Sequence, residues 1–453
     1  MERDSLDFKN MRVGALFMKQ FMPTLLGMVS SALFIIVDGI FVGRGIGPHA
    51  LAAVNIVAPI SMIAAGIGLM FGMGGAIVAS INLSRGKQKV ANINFSQSIV
   101  ASSLIAIIIT AVILLFPYQT SYLFGADAEL VGMAVEYLVW FTLFVLPFCF
   151  TLSLPFFVRL NNPKYAMWCM LLATVVNLVL DYVFIFIFGW GLMGAALATG
   201  IGELVGAGML ICYFFGRKSA VRFEKIKMSV KSLKLTIRNV YYMIKLGLSS
   251  FLSEITIAIM FLAGNYVFMD YLGANGVAAY SIICYLFPIV FMVFNATVQS
   301  VQPIISFNYG CGQIKRANQA LKLAVIVAMS IGFVMFLIML VFTAGIVTMF
   351  VPHTSSTTWS YAVEGIPVFA VDFLFFAVNI VTIGYYMSIE KVRRALTITL
   401  VRGILPVVFF YMLPGIFGIP GIWFAVAAGD ITTTLFILLL KWNDKRTTVM
   451  QAY

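Results

Sequence analysis

The chain has 453 residues, 62% of them hydrophobic and 10% charged, against about 25% charged in ordinary soluble domains. No water-soluble fold can cover that much apolar surface, so a soluble enzyme, a disordered chain, a collagen and a disulfide scaffold are excluded. Lys and Arg number 29 against 17 Asp and Glu, a net charge of +12; in a membrane protein this excess reports topology, and no nucleic-acid partner is expected.

Apolar runs fall at 22–42, 51–82, 96–116, 131–157, 165–187, 192–215, 240–266, 276–304, 321–350, 361–389, 396–417 and 419–440. Each is long enough to cross a bilayer, which takes ~20 residues of helix. The first follows a charged tail, Glu2 to Lys19, with no small-residue cleavage site; it reads as a retained helix and not a signal peptide. Of the 29 basic residues, 27 fall on one side of an even-span topology when those at helix edges are assigned to the adjoining loop. Only Arg44 lies opposite, and Arg402 lies inside span eleven, placed to snorkel from its basic end. The asymmetry puts both termini and the 216–239 loop in the cytoplasm.

The longest polar stretch, 216–239, divides the chain into an N-terminal lobe, 1–215 (spans one to six), and a C-terminal lobe, 240–453 (spans seven to twelve). The halves match at a nearly fixed offset. Gly47 and Leu51-Ala52-Ala53 match Gly273 and Val277-Ala278-Ala279, and Gly86, Lys89, Ala91 and Asn92 match Gly312, Lys315, Ala317 and Asn318, all 226 residues on. Gly191, Gly194, Ala198, Gly202 and Glu203 match Gly418, Gly421, Ala425, Gly429 and Asp430 at 227. Six spans is an even number, so the duplication is a parallel repeat about an axis along the membrane normal, an arrangement found in transporters. The expected fold is an all-α integral membrane protein of twelve transmembrane helices in two six-helix lobes.

Ionisable residues at bilayer depth are costly, ~2.5–3.5 kcal/mol or more each, and mark function. Asp38, Asp181, Glu203, Glu254, Asp372 and Asp430 lie in the apolar runs, with no Lys or Arg expected at the same depth. Asp38 in span one, Asn177 and Asp181 in span five and Thr199 in span six share the outer third of the first half. Two carboxylates, an amide and a hydroxyl supply oxygens for a small hard cation such as Na⁺, or share one proton; the alternative is hydrogen-bond glue between helices. Glu254 and Asp372 are candidates for substrate or proton binding. Glu203 and Asp430, kept in both halves, read as architecture. Asn295, Gln299 and Gln302 form one polar stripe of span eight, facing a pore or the other lobe, or bonding to neighbouring helices. Pro23 opens span one and either starts the helix or lets it bend.

Absences narrow the chemistry. There is no GxxxxGK[ST], HExxH or GxSxG. The five Cys form no CxxC pair, and the two His, His49 and His353, are far apart. No enzyme activity and no cofactor are expected.

Ile36-Val37-Asp38-Gly39-Ile40-Phe41-Val42-Gly43, Asn177-x-x-x-Asp181 and the twelve-span plan resemble the multidrug and toxic compound extrusion (MATE) family along essentially the whole chain. Phe157-Val158-Arg159-Leu160-Asn161-Asn162-Pro163-Lys164 resembles its MepA-like bacterial branch. The resemblance implies an alternating-access antiporter that exports organic cations and amphipathic drugs, giving drug resistance, in exchange for Na⁺ or H⁺ as coupling ion. It assigns the coupling cation to Asp38, Asn177, Asp181 and Thr199, substrate contacts to Glu254 and Asp372, and a hinge to Pro23. A monomer is expected. The alternative within the superfamily is a lipid-linked saccharide flippase, disfavoured by the lack of Arg and Lys in the spans. A channel or receptor is the alternative from another class.

Overall fold

Helices account for every regular element in a computed structural model that describes residues 6–216, 219–227, 229–351 and 356–450. His353, residues 217, 218 and 228 of the 216–239 stretch, and both chain ends lie outside them. In chain order the helices are α1 (Val13–Gly45), α2 (Pro48–Ser84), α3 (Gln88–Leu115), α4 (Pro117–Leu123), α5 (Val131–Thr142), α6 (Val145–Val158), α7 (Pro163–Asp181) and, after a π-helical turn at Tyr182–Ile187, α8 (Gly191–Phe215). Then come α9 (Val230–Gly310), α10 (Ile314–Val341), α11 (Thr343–Phe350), α12 (Ser356–Ala370), α13 (Asp372–Ser388), α14 (Val392–Met412), α15 (Pro414–Phe417) and α16 (Ile419–Met450).

Among the described residues nine helices are long and apolar enough to cross a membrane, and two bent pairs, α5 with α6 (53°) and α12 with α13 (40°), each add a span. One of the nine, α9, has 81 residues, which at 1.5 Å per residue is about four times the ~30 Å hydrocarbon core. Gly273 breaks it, with φ 64° and ψ −159°, a conformation that only glycine adopts readily. Counting α9 as two spans gives the expected twelve. α3 exposes an apolar face, with Leu104, Ile107, Ile108 and Leu115 at the spacing of one helical side.

The duplication is visible in the backbone. Helices α3 and α10 each have 28 residues and begin 226 apart, at Gln88 and Ile314. The turns that precede them hold the repeat-matched Gly86 and Gly312 at φ 72° and 78°. Gly47, the partner of Gly273 in the repeat, also has positive φ, 129°. Short helices α4 and α11 follow at matching places, with Pro117 and Thr343 as their first residues.

The chain forms two compact units. The first is Met1–Glu254, Gln299–Ala320 and Met387–Glu390; the second is Ile255–Val298, Leu321–Tyr386 and Lys391–Tyr453. In the first, α7 packs against α1 and α8, and α2 against α3 and α6. In the second, α12 and α14 pack against α16.

Three local readings change. α1 begins at Val13, so Pro23 is interior and buried rather than at the helix start; its ring nitrogen cannot donate to the carbonyl four residues back. α9 begins at Val230, inside the stretch expected to be a polar loop, with the Ser229 hydroxyl accepting from the Ser232 amide at 3.3 Å. Lys231, Lys234 and Arg238 are good helix formers, and hydropathy alone hides such an extension. Arg159, assigned to a loop by the charge count, is 2% exposed just past the end of α6.

Candidate functional site

Three helices of the first unit bring the expected oxygen cluster together. Asn177 and Asp181 lie one turn apart on α7, whose neighbours α1 and α8 carry Asp38 and Thr199. The Asn177 amide donates to the Thr199 hydroxyl at 3.3 Å. Asp38 and Asp181 lie within side-chain hydrogen-bonding reach of one another. When both are ionised neither has a proton to donate. Asp38 Oδ1, both Asp181 oxygens and Asn177 Oδ1 are buried and form no hydrogen bond among the described residues, although the Asn177 amide lies close to Asp181. Asp181 is fully buried and Asn177 and Thr199 nearly so, while Asp38 is half-buried. The π-helical turn starts at the next residue, Tyr182; such irregular turns often sit at functional positions because they re-aim side chains.

A buried tyrosine that hydropathy did not mark lies in the surroundings of this cluster. Tyr137 of α5 is 7% exposed, stacks on Phe141, and lies in electrostatic range of both Asp38 and Asp181. Tyr fits apolar runs, so only its neighbours in space give it away.

The polar stripe is divided. Gln299 and Gln302 are buried in the first unit, and half-buried Asn295 lies in the second. The Arg159 guanidinium donates to Gln299 Oε1, and Gln302 Nε2 donates to the Ser306 hydroxyl at 3.3 Å. Glu254 is half-buried in the first unit and Asp372 fully buried in the second. Glu203 accepts a hydrogen bond from the Thr151 hydroxyl.

Arg402 corrects the expectation that the membrane acids lack a cation. It does not snorkel: it is 5% exposed and its Nε lies 3.3 Å from Asp430 Oδ1, itself on a residue 1% exposed. Its guanidinium also sits 4.2 Å from the centre of the Phe376 ring, a favourable cation–π distance. Asn379 donates to Asp430 Oδ1 and to its backbone carbonyl, both at 2.9 Å.

A sequence profile of the MatE family matches residues 23–183 and 249–412. The chain is 25% identical to Multidrug export protein MepA of Staphylococcus saprophyticus over 95% of this chain and 94% of that one. It is 24% identical to the MepA of Staphylococcus aureus strain MRSA252, over 94% and 93%. Among solved structures, an outward-facing multidrug resistance MATE family transporter of the MOP superfamily superposes with TM-score 0.89 at 21% identity, covering 99% of both chains. A MOP superfamily transporter from Pyrococcus furiosus gives 0.89 at 20% identity and 98% of both. The profile spans most of the sequence and the fold agrees from end to end: the chain belongs to the MatE family of membrane transporters and is not an enzyme.

Proposed function

We propose that this protein exports organic cations and amphipathic drugs from the bacterial cytoplasm across the inner membrane, driven by inward flow of Na⁺ or H⁺. The observation that carries the reading is the group of four acceptor oxygens on Asp38, Asn177 and Asp181, buried and without a hydrogen bond among the described residues. Buried acceptors left in this way call for a cation or a proton. Thr199 completes the oxygen set, so the residues present fit Na⁺ as well as H⁺. The names of the staphylococcal relatives favour drug export over the flippase. In this scheme the halves 1–215 and 240–453 are the moving lobes joined by 216–239, the working unit is a monomer, and Pro23 is the hinge of α1. Glu254, Asp372, Asn295, Gln299 and Gln302 make the drug contacts.

Efflux in everted vesicles tests it. A fluorescent organic cation should accumulate under an imposed pH gradient or an imposed Na⁺ gradient; accumulation driven by neither rejects ion-coupled export. The topology has its own check in a cysteine-free background. Single cysteines at Asp127 and Gly415, both exposed, should react with an impermeant thiol reagent on intact cells, and one at exposed Lys227 should stay silent. Labelling at 227 would reverse the orientation.

A further inference from the structure

We propose that the start of α9, residues 230–245, is a docking surface for anionic phospholipid of the cytoplasmic leaflet, with Lys231, Lys234, Arg238 and Lys245 as its headgroup contacts. The proposal goes beyond the export reading and needs only that the chain spans a bilayer with this end at the cytoplasmic interface.

Four observations carry it. First, the basic residues fall at i, i+3, i+7 and i+14 from Lys231. At 3.6 residues per turn this confines them to about 60° of the helix circumference. All four are exposed, and none is ion-paired among the described residues. Glu224 is the only acid from Gly216 to Ser253. Glu390, which reaches this helix, accepts from the Tyr242 hydroxyl at 2.7 Å and not from the basic stripe.

Second, an apolar stripe runs beside the basic one. Val230, Leu233, Ile237 and Tyr241 are all exposed, at i, i+3, i+7 and i+11. The Lys245 ammonium lies 4.6 Å from the centre of the Tyr241 ring, so the two stripes touch. Together they match the two parts of a lipid, a charged headgroup and its acyl chains. Basic clusters immediately cytoplasmic of a membrane helix attract anionic headgroups in this way.

Third, another side of the same helix is pinned to α3. Gln97 Nε2 donates to the Thr236 hydroxyl at 2.9 Å, and Gln97 Oε1 accepts from the Asn239 amide at 3.3 Å. Just upstream, the Glu224 backbone N–H donates to the Ser96 hydroxyl at 2.8 Å. These bonds leave both stripes facing outward. They also set the depth, because Ser96 and Gln97 open the apolar run 96–116. The stripes therefore stand where a span enters the headgroup layer.

Fourth, the surface is not inherited from the repeat. The 226-residue offset pairs Asn239 with Val13, where α1 begins, but α9 begins at Val230, more than two turns earlier. In the first half the corresponding stretch folds inward. Phe8, the match of Lys234, is buried with its ring centre 5.4 Å from that of Phe307. Its carbonyl accepts from Asn308 and from Arg316, each at 3.2 Å.

Fluorescence quenching of the full-length, cysteine-free protein in phosphatidylcholine nanodiscs tests the assignment. A bimane label is placed at Ile237→Cys, and lipid with brominated chains is mixed in. Brominated phosphatidylglycerol should quench the label at roughly fivefold lower mole fraction than brominated phosphatidylcholine, or lower still, since a basic residue beside anionic lipid is worth about fivefold in affinity. Lys231→Gln/Lys234→Gln/Arg238→Gln should abolish that preference. The control Lys87→Gln/Lys89→Gln/Arg393→Gln removes as much charge from other exposed positions and should keep it. A label at Leu104→Cys, on the exposed face of α3, should show none. Inorganic phosphate should not displace the lipid. Equal quenching at 237 by the two lipids overturns the proposal. So does a preference that survives the first triple variant, is lost in the control, recurs at 104 or is removed by phosphate. A label at 237 that neither lipid quenches would mark a protein contact there, such as a second copy of the chain, and overturns it too. No drug or ion gradient enters the measurement, so its failure leaves the export reading standing, and failure of vesicle efflux leaves this surface standing.

Discussion

Asp38→Asn should reduce ion-driven drug transport to background while the protein becomes no less stable. The two effects have one cause. In the wild type Asp38 and Asp181 present buried acceptors to each other that form no hydrogen bond among the described residues. The asparagine amide keeps the shape of the carboxylate and supplies the missing N–H to Asp181, a hydrogen bond to a charged group worth about 1.5–3 kcal/mol at best. The site is then satisfied permanently and has no need of the exchanged cation. Transport is read in vesicles and stability by thermal unfolding in detergent. Loss of both together would mean that Asp38 is structural; full activity would remove it from coupling.

Gly247→Val and Gly74→Val should each destabilise the first unit strongly. A Cβ on Gly247 would run into the Met70 carbonyl, and one on Gly74 into the Met243 carbonyl, so α2 and the first part of α9 meet backbone to backbone through reciprocal glycines. Small residues at such crossings let membrane helices approach closely enough to gain dispersion energy. Overpacking costs about 1–3 kcal/mol where side chains can yield; here the obstacle is main chain, so a helix must move, and the upper end of that range is expected. Gly208→Ala is the control. A Cβ there meets nothing within 4 Å, and the change should stay within about 0.5 kcal/mol. Unfolding temperatures of the three variants measure the difference. Equal stability of Gly247→Val and Gly208→Ala would contradict the close crossing.

Much of this was legible before any coordinates, for identifiable reasons. A bilayer forces spans to be apolar and about the same length, so hydropathy and the side preference of Lys and Arg carry the span count. The repeat was legible because Gly86 and Gly312 are held at φ 72° and 78°, where other residues are strained. The cluster of Asp38, Asn177, Asp181 and Thr199 was legible because helix rise converts sequence position into depth. Depth along an axis says nothing of which face a residue occupies. Arg402 and Asp430 are 28 positions apart on α14 and α16, and only the packing of those helices shows that they pair. Arg159 was misplaced for the same reason. It ends a helix beside a basic loop, yet its guanidinium turns inward to Gln299 and Met170. Tyr137 left no signal at all, since its ring suits a membrane helix whether or not its hydroxyl serves a site.

The antiport account makes drug and coupling ion disfavour one another through the protein. An exporter needs the inward-moving ion to favour a state that releases drug, and linkage makes the penalty reciprocal, typically ~1–3 kcal/mol. The direct measurement is the affinity of a fluorescent organic cation for purified protein, titrated at fixed ionic strength with Na⁺ and then with acid. The account predicts that one of the two weakens binding by roughly 5–150-fold, and that Asp181→Asn removes the weakening while leaving affinity in Na⁺-free neutral buffer nearly intact. Affinity indifferent to both Na⁺ and pH in the wild type would contradict it.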